Sequence, residues 1–243
     1  MNLKKSIVAL TASIVLPWGA LAEGLDESRV KELVLEAIRE NPGIVMEAVS
    51  ILEQQQAEAA ELARADTLSN QRNLLEQDPN APVLGNPEGD VTVVEFFDYN
   101  CPYCRRAMDE VQGLLDDDPN VRLVYREWPI LGEGSVFAAR AALASRNQGK
   151  YEEFHWAMMG MKGRADEASV MRIAEEIGLD LDQLQKDMQA PEIEEHIVTS
   201  MNLSRSLGFS GTPSFVIGDE LVPGFVEKAQ LLDAVTATRE ERE

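Results

Sequence analysis

The sequence predicts an α/β fold that carries an inserted helical domain and is preceded by an N-terminal helical stalk. Three observations lead there. A strand-helix-strand pattern runs from Val91 to Tyr125, with a Cys-Pro-Tyr-Cys motif at the strand-to-helix turn. A helical stretch at about 134–207 then separates this pattern from a return to strand at Ser214–Ile217. Upstream, Leu25–Gln77 has helical spacing and an apolar stripe with too few large side chains to make a core of its own.

Composition narrows the chemistry. The 243 residues carry 43 Asp and Glu against 22 Lys and Arg, a net charge of −21. A phosphate backbone needs a basic surface, so nucleic acid is excluded as a partner, and anionic membrane surfaces are disfavoured. At 44% hydrophobic residues the chain is long enough for one good core. The two cysteines, Cys101 and Cys104, exclude a disulfide-stapled scaffold. A structural zinc site takes about four ligands. Only His155 and His196 could join the cysteines, and their spacing is not that of a finger, so no metal site is expected.

Taken in order, residues 1–22 read as a signal peptide. Lys4 and Lys5 precede an apolar run from Ser6 to Leu16, and Ala20-Leu21-Ala22 forms a small-x-small cleavage site. The run is too short to span a bilayer. Its bacterial look points to the periplasm, an oxidising compartment. Loss of both lysines takes the net charge from −21 to −23.

Residues 23–78 form the stalk and linker. Asp26 or Ser28 caps a first helix, whose apolar face is Val30, Leu33, Val34, Ala37 and Ile38. Asn41-Pro42 breaks it, and a second helix starts at Pro42. Ile38, Val45, Leu52 and Ala59 recur every seven residues. The stripe needs a partner, which favours an oligomerisation stalk over a solvated linker.

Residues 79–243 form the third region. Val91–Phe97 is β-branched and aromatic and reads as a buried strand; a helix follows through Leu115, then a strand at Val121–Tyr125. Within the insertion, Tyr151, Phe154, His155, Met158 and Met159 keep helical spacing, as do Ile193, Ile197 and Met201. Ser214–Ile217 and Glu220–Val222 are strands around a turn, and a last helix starts near Glu227.

The cysteine pair carries the chemistry. Closing a four-residue loop stabilises by only about 2 kcal/mol, against nearly 5 for a hundred-residue loop, so the pair is a poor staple. A redox pair instead needs its two thiols within reach. Cys101 falls at a helix start, where free amides and the helix dipole favour thiolate. Pro102 suits the first helical position, and Cys104, one turn in, is shielded.

Strand, then Phe96-Phe97-Asp98-Tyr99-Asn100-Cys101-Pro102-Tyr103-Cys104, then helix, resembles the thioredoxin superfamily and within it the bacterial Dsb thiol-disulfide oxidoreductases. Thr212-Pro213 before a strand resembles that family's cis-proline loop, and the insertion that of its DsbA branch. Arg126-Glu127-Trp128-Pro129-Ile130-Leu131-Gly132 is similar to the second-strand exit of that branch. The N-terminal helices resemble the suppressor-of-copper-sensitivity C proteins, periplasmic relatives that oligomerise through such a segment. The resemblance implies a thioredoxin-like fold with Cys101 as attacking thiolate and Cys104 as resolving thiol. It implies Glu95 as a buried proton relay, Thr212 and Pro213 as the client-binding loop, and Pro102 and Tyr103 as tuners of potential. The redox-active disulfide Cys101–Cys104 replaces any cofactor. Arg105 and Arg106 either support the thiolate or are solvated; His155 is a lid or core residue and His196 an exposed helix residue. Met158, Met159 and Met161 are core or line an apolar cleft.

The function expected is periplasmic disulfide isomerisation on unfolded or misoxidised secreted proteins. It would be carried out by a homo-oligomer, a trimer ahead of a dimer, with an inner-membrane redox partner. A dithiol oxidase is the alternative, and an oligomeric holdase or copper-binding protein stands third. Threonine before the cis-proline resembles the isomerase branch; Cys-Pro-x-Cys resembles the oxidase branch.

Overall fold

Val91–Phe97 becomes β2, and all seven residues are buried. Such a strand must be covered on both faces, and this requirement organises everything around it. The computed structural model describes residues 26–242; the signal peptide expected at 1–22 lies outside the described residues. The chain divides into two units at Gln54 and Gln55.

The first unit holds α1 (Glu27–Glu40) and the first half of α2 (Gly43–Asn70). Asp26 caps α1, accepting from the Arg29 amide at 2.9 Å, and Asn41 closes it. No residue of α1 is buried. Val30, Leu33, Val34, Ile44, Val45 and Leu52 are all exposed.

The second unit contains the rest of α2, then α3 (Arg72–Glu76) and β1 (Val83–Gly85). The helical spacing of Leu25–Gln77 covers α3 but not the break at Gln71 that parts it from α2, and it does not predict β1. The five-residue α3 is too short for a periodic signature, and β1 is only three residues long. After β2 come α4 (Pro102–Asp117) and β3 (Val121–Glu127), which runs two residues beyond the expected end. The insertion comprises α5 (Glu133–Ser145), α6 (Tyr151–Gly160), α7 (Glu167–Glu176), α8 (Leu181–Asp187) and α9 (Pro191–Ser206). β4 (Ser214–Ile217), β5 (Glu220–Pro223) and α10 (Lys228–Glu240) complete the unit.

The sheet order is β1-β3-β2-β4-β5, with β2 and β3 parallel and the other neighbours antiparallel. This is the thioredoxin-like arrangement that the resemblance implies. Side chains alternate across β2. Val91, Val93 and Phe97 join the larger core with α4, α10 and the insertion. Val94 and Phe96 join a smaller core on the other face with Leu75, Trp128, Leu203, Leu207 and Phe209.

Arg126, fully buried, ties α3 to the sheet. Its guanidinium pairs with Asp78 at 2.6 Å and donates to the carbonyls of Leu74 and Leu75. Beside it, His196 is fully buried, not exposed as the sequence suggests. The reason is that α9 lies against β3, bringing His196 Nε2 to 2.7 Å from Glu127 Oε2, while the Tyr151 hydroxyl donates to Glu127 Oε1 at 2.6 Å. Burial pushes the Asp78 pKa up, but the Asn80 amide and Arg126 outweigh it and hold the carboxyl below its usual value.

Asp78→Ala leaves the Arg126 charge buried without its partner, which costs about 3–5 kcal/mol. Chemical denaturation at neutral pH should show that loss, whereas Arg172→Ala in the exposed Arg172–Glu176 pair should cost under about 1 kcal/mol. Because the Asp78 pKa is depressed, its contribution should be present at neutral pH and disappear as pH falls below the usual carboxylate range.

Candidate active site

β2 delivers the chain to α4 through a tight turn. Cys101 is the N-cap of α4 in extended conformation, and Pro102 takes the first helical turn without losing a helical hydrogen bond. The Cys101 amide donates to the Asp98 carbonyl at 3.0 Å. One turn on, Cys104 faces the core and is 1% exposed. Both cysteines are in the free thiol form.

The two sulfurs have opposite surroundings. The Cys101 pKa is lowered to about 6. The largest cause is a hydrogen bond with the Cys104 thiol; burial opposes it, and Thr212 with the amides of Cys104 and Tyr103 add to it. Those amides are the unpaired donors of the helix start. Cys104 is pushed well above an ordinary thiol, first by burial, then by the bond to Cys101 and the charge of Glu95. Neutral water therefore meets a thiolate at Cys101 and a thiol at Cys104.

Glu95 lies on β2 on the same side as Val93 and Phe97, with Tyr125 and Phe215 as its strand partners. It is 2% exposed, and burial followed by the Cys101 charge raises its pKa to about 8. Thr212-Pro213 is a cis peptide bond. Cys101 Sγ lies 3.1 Å from the Thr212 carbonyl, to which it donates only while protonated, and the Pro213 carbonyl accepts from the Gly224 amide at 2.9 Å. The fold thus brings Glu95, Cys101, Pro102, Cys104, Thr212 and Pro213 together. Tyr103 stands outward, about half exposed.

The arginines after the motif are committed elsewhere. Arg105 donates to the carbonyls of Tyr99, Met161 and Gly163 and meets Cys101 only as a nearby charge. Arg106 lies over the Phe225 ring, 4.4 Å from its centroid. His155 is a core residue, packed among Phe97, Tyr99, Tyr125 and Tyr151, and burial lowers its pKa to about 3. Met158 and Met159 are buried, and Met161 is partly so.

Asn100 joins the cysteine turn to the insertion. Its amide exchanges two hydrogen bonds with the Ala165 backbone, at 2.7 and 3.1 Å, and donates to Ser135 Oγ at 3.1 Å. A Cβ on Gly134 would sit 2.1 Å from the Ala165 carbonyl, so glycine is required there. The only sequence signal for this seam was a polar residue between a buried strand and a helix. Among the described residues no group of three or more His, Cys, Asp or Glu is placed to hold a metal ion.

Comparison with known proteins places these features. The family model "DSBA-like thioredoxin domain" matches residues 92–236. The "Copper resistance protein ScsC N-terminal domain" model matches residues 26–59. A thioredoxin-like oxidoreductase from Silicibacter pomeroyi is 74% identical, over 70% of this chain and 98% of its own, with TM-score 0.69. ScsC from Proteus mirabilis in a transitional conformation is 28% identical, over 91% of this chain and 99% of its own, with TM-score 0.67. Among curated proteins, the Na(+)/H(+) antiporter NhaA 1 from Salinispora arenicola is 32% identical over 64% of this chain, which spans only 24% of that protein. No helix among the described residues is long and apolar enough to cross a membrane.

Thiolate absorbance of the reduced protein should titrate with a midpoint near pH 6, from Cys101 alone. Cys101→Ser should remove that transition and leave no other thiolate signal below about pH 9, the upper end of the free-thiol range.

Proposed function

Since this chain belongs to the DsbA-like thioredoxin family, we propose that it is a disulfide isomerase acting on secreted proteins in the periplasm. One observation carries the reading: Cys101 Sγ, at the N-cap of α4, lies 3.1 Å from the carbonyl of the cis Thr212-Pro213 loop, one helical turn before the buried Cys104. Cys101 attacks a client disulfide; a Cys101–client disulfide forms as the client S–S bond breaks, and the client's other sulfur leaves as thiolate. A second client thiolate then displaces Cys101, which completes a rearrangement with no net electron transfer. If none arrives, Cys104 attacks Cys101, releases the client reduced and leaves the Cys101–Cys104 disulfide. That disulfide is the only redox group the reaction needs.

Glu95 takes the Cys104 proton in that second route and returns it on reduction. A carboxyl with a pKa about 8 can do both near neutral pH. The Thr212 carbonyl, next to Cys101 Sγ, marks where an extended client pairs its backbone. An inner-membrane redox partner would return oxidised enzyme to the dithiol.

Two features favour isomerisation. The Cys101 pKa, about 6, lies nearer the roughly 7 of thioredoxin than the roughly 3.5 of DsbA, so the dithiol is less strongly favoured than in that oxidant. The exposed apolar side chains of α1 and α2 suit assembly into a homo-oligomer, a trimer ahead of a dimer, and several sites on one client favour reshuffling. A second reading, dithiol oxidase, draws on the same lowered Cys101 pKa, since it still favours the reduced form over an ordinary thiol pair.

Catalytic amounts of protein should restore activity to scrambled ribonuclease in a redox buffer; no recovery, with reduced ribonuclease still oxidised, would replace the isomerase reading by the oxidase one. Glu95→Gln should slow reduction of a preformed Cys101–client disulfide by Cys104 by roughly tenfold or more at pH 7. It should leave the first attack by Cys101 within about twofold. Stopped-flow measurement of the two steps checks this, and an equal loss in both would remove Glu95 from the relay.

A further inference from the structure

The chain carries a net charge of −21, yet cations gather around the reacting sulfur. They reach Cys101 by two separate paths. The first runs through Asn100, the residue before Cys101. Its side chain is bonded both ways to the Ala165 backbone, which brings the loop between α6 and α7 against the cysteine turn. Arg105, one turn into α4, grips the same loop. It donates to the carbonyls of Met161 at 3.2 Å and Gly163 at 2.6 Å, and also to that of Tyr99. Lys162 and Arg164 therefore each stand between two pinned neighbours, and both are exposed. Arg105 has the charges of Arg164 and Cys101 close by.

The second path runs through the cis-proline loop. Cys101 Sγ lies 3.1 Å from the Thr212 carbonyl, and the next residue, Pro213, accepts from the Gly224 amide at 2.9 Å. Phe225 follows Gly224, and the exposed Arg106 lies over its ring, 4.4 Å from the centroid. Arg106 is thus held beside the loop along which a client backbone pairs.

No internal carboxylate neutralises these cations. Arg105 and Arg164 donate to backbone carbonyls, Arg164 to that of Leu131 at 3.0 Å, and Arg106 meets an aromatic face. Among the described residues none of Arg105, Arg106, Lys162 and Arg164 forms an ion pair. Asp98, the anion that acts on Arg105, is buried and already accepts from the amides of Asn100, Ile130 and Leu131. In a chain with 43 acidic side chains, cations left without one beside a reacting sulfur are open to a carboxylate from outside.

We infer that Lys162, Arg164 and Arg106 form a basic rim that selects clients with acidic residues next to the reacting cysteine. The inference rests on the client reading of the site. The rim works against the field of the whole molecule, which repels an acidic client and attracts a basic one. Its charges dominate only within about a Debye length, roughly 8 Å at physiological ionic strength. Selection therefore follows the residues flanking the cysteine and not the net charge of the client.

The test uses the full chain and three disulfide-bonded peptides that differ only in the residues flanking the cysteine, which are glutamate, glutamine or lysine. Each kcat/KM is divided by the rate of the same peptide with a small neutral thiol. At low salt the ratio should fall in the order glutamate, glutamine, lysine, with roughly tenfold between the first two. Net charge alone predicts the reverse order. At about 1 M salt, where the Debye length shrinks to roughly 3 Å, the peptides should converge. Lys162→Gln with Arg164→Gln should lower the glutamate ratio about fivefold and leave the glutamine one within about twofold. The Cys101 thiolate midpoint should not move in that variant. Lys162→Glu with Arg164→Glu should put the lysine peptide ahead, a gain that an unfolded variant cannot show. Equal losses for every peptide with a raised thiolate midpoint would make the cations supports of the thiolate and overturn the assignment. So would a glutamate preference that survives high salt, or a wild-type protein without that preference. A wild-type protein that exchanges with no peptide would remove the client reading itself, a failure separable from the others.

Discussion

Two thiols three residues apart must live in opposite electrostatic worlds, and that constraint shapes the catalytic unit. The difference is made by one helical turn. Cys101, at the N-cap, meets the amides that no carbonyl of α4 can satisfy. Cys104, one turn on, faces a core that includes Ala107, Val111 and Phe97, where a charge finds no water. The hydrogen bond between the sulfurs stabilises the outer thiolate and the inner thiol at once. A seven-residue buried strand is needed to bring Glu95 beneath them, because only a strand covered on both faces can carry an acid that deep.

Burial of this kind demands a rigid surround, which explains the polar seams. Asp98, Asn100 and Arg105 all lie within a few residues of the cysteines, and all three hydrogen-bond to backbone. Asn100 and Arg105 both reach the loop between α6 and α7, so the insertion is fastened to the cysteine turn itself. At the end of β3, Arg126, Asp78, His196 and Glu127 form a second buried cluster, which joins α3 and α9 to that strand. Groups so costly to bury hold only in one geometry, and they fix where the elements meet.

Which features were legible follows from the range of the interactions behind them. Val91–Phe97 and Ser214–Ile217 were readable residue for residue because runs of β-branched and aromatic side chains speak locally. The cysteine turn was readable because spacing alone specifies it. Thr212-Pro213 needed the family resemblance, since no local rule places residue 212 beside residue 101. His196 was misjudged as exposed because its helix is acidic around it; only the packing of α9 on β3 decides its side. Nothing in the local sequence of β3 announces a fully buried guanidinium at Arg126. The strand β1 and the break that sets α3 apart from α2 depend on such tertiary contacts: Arg126 and Arg122 bind carbonyls of α3, and β1 pairs with β3.

The N-terminal unit obeys a different economy of burial. A 14-residue helix such as α1 is marginal in water unless packing supports it, yet none of its residues is buried within this chain. Its exposed Asp26 cap and its exposed Lys31–Glu27 and Arg29–Glu32 pairs add little against solvent. Covering Val30, Leu33, Val34 and the apolar residues of early α2 would stabilise the helices far more, by roughly 1.5–3 kcal/mol for each large side chain fully buried. In an assembly of the kind proposed above, helix formation and association would be one event, driven by a segment that carries no cysteine.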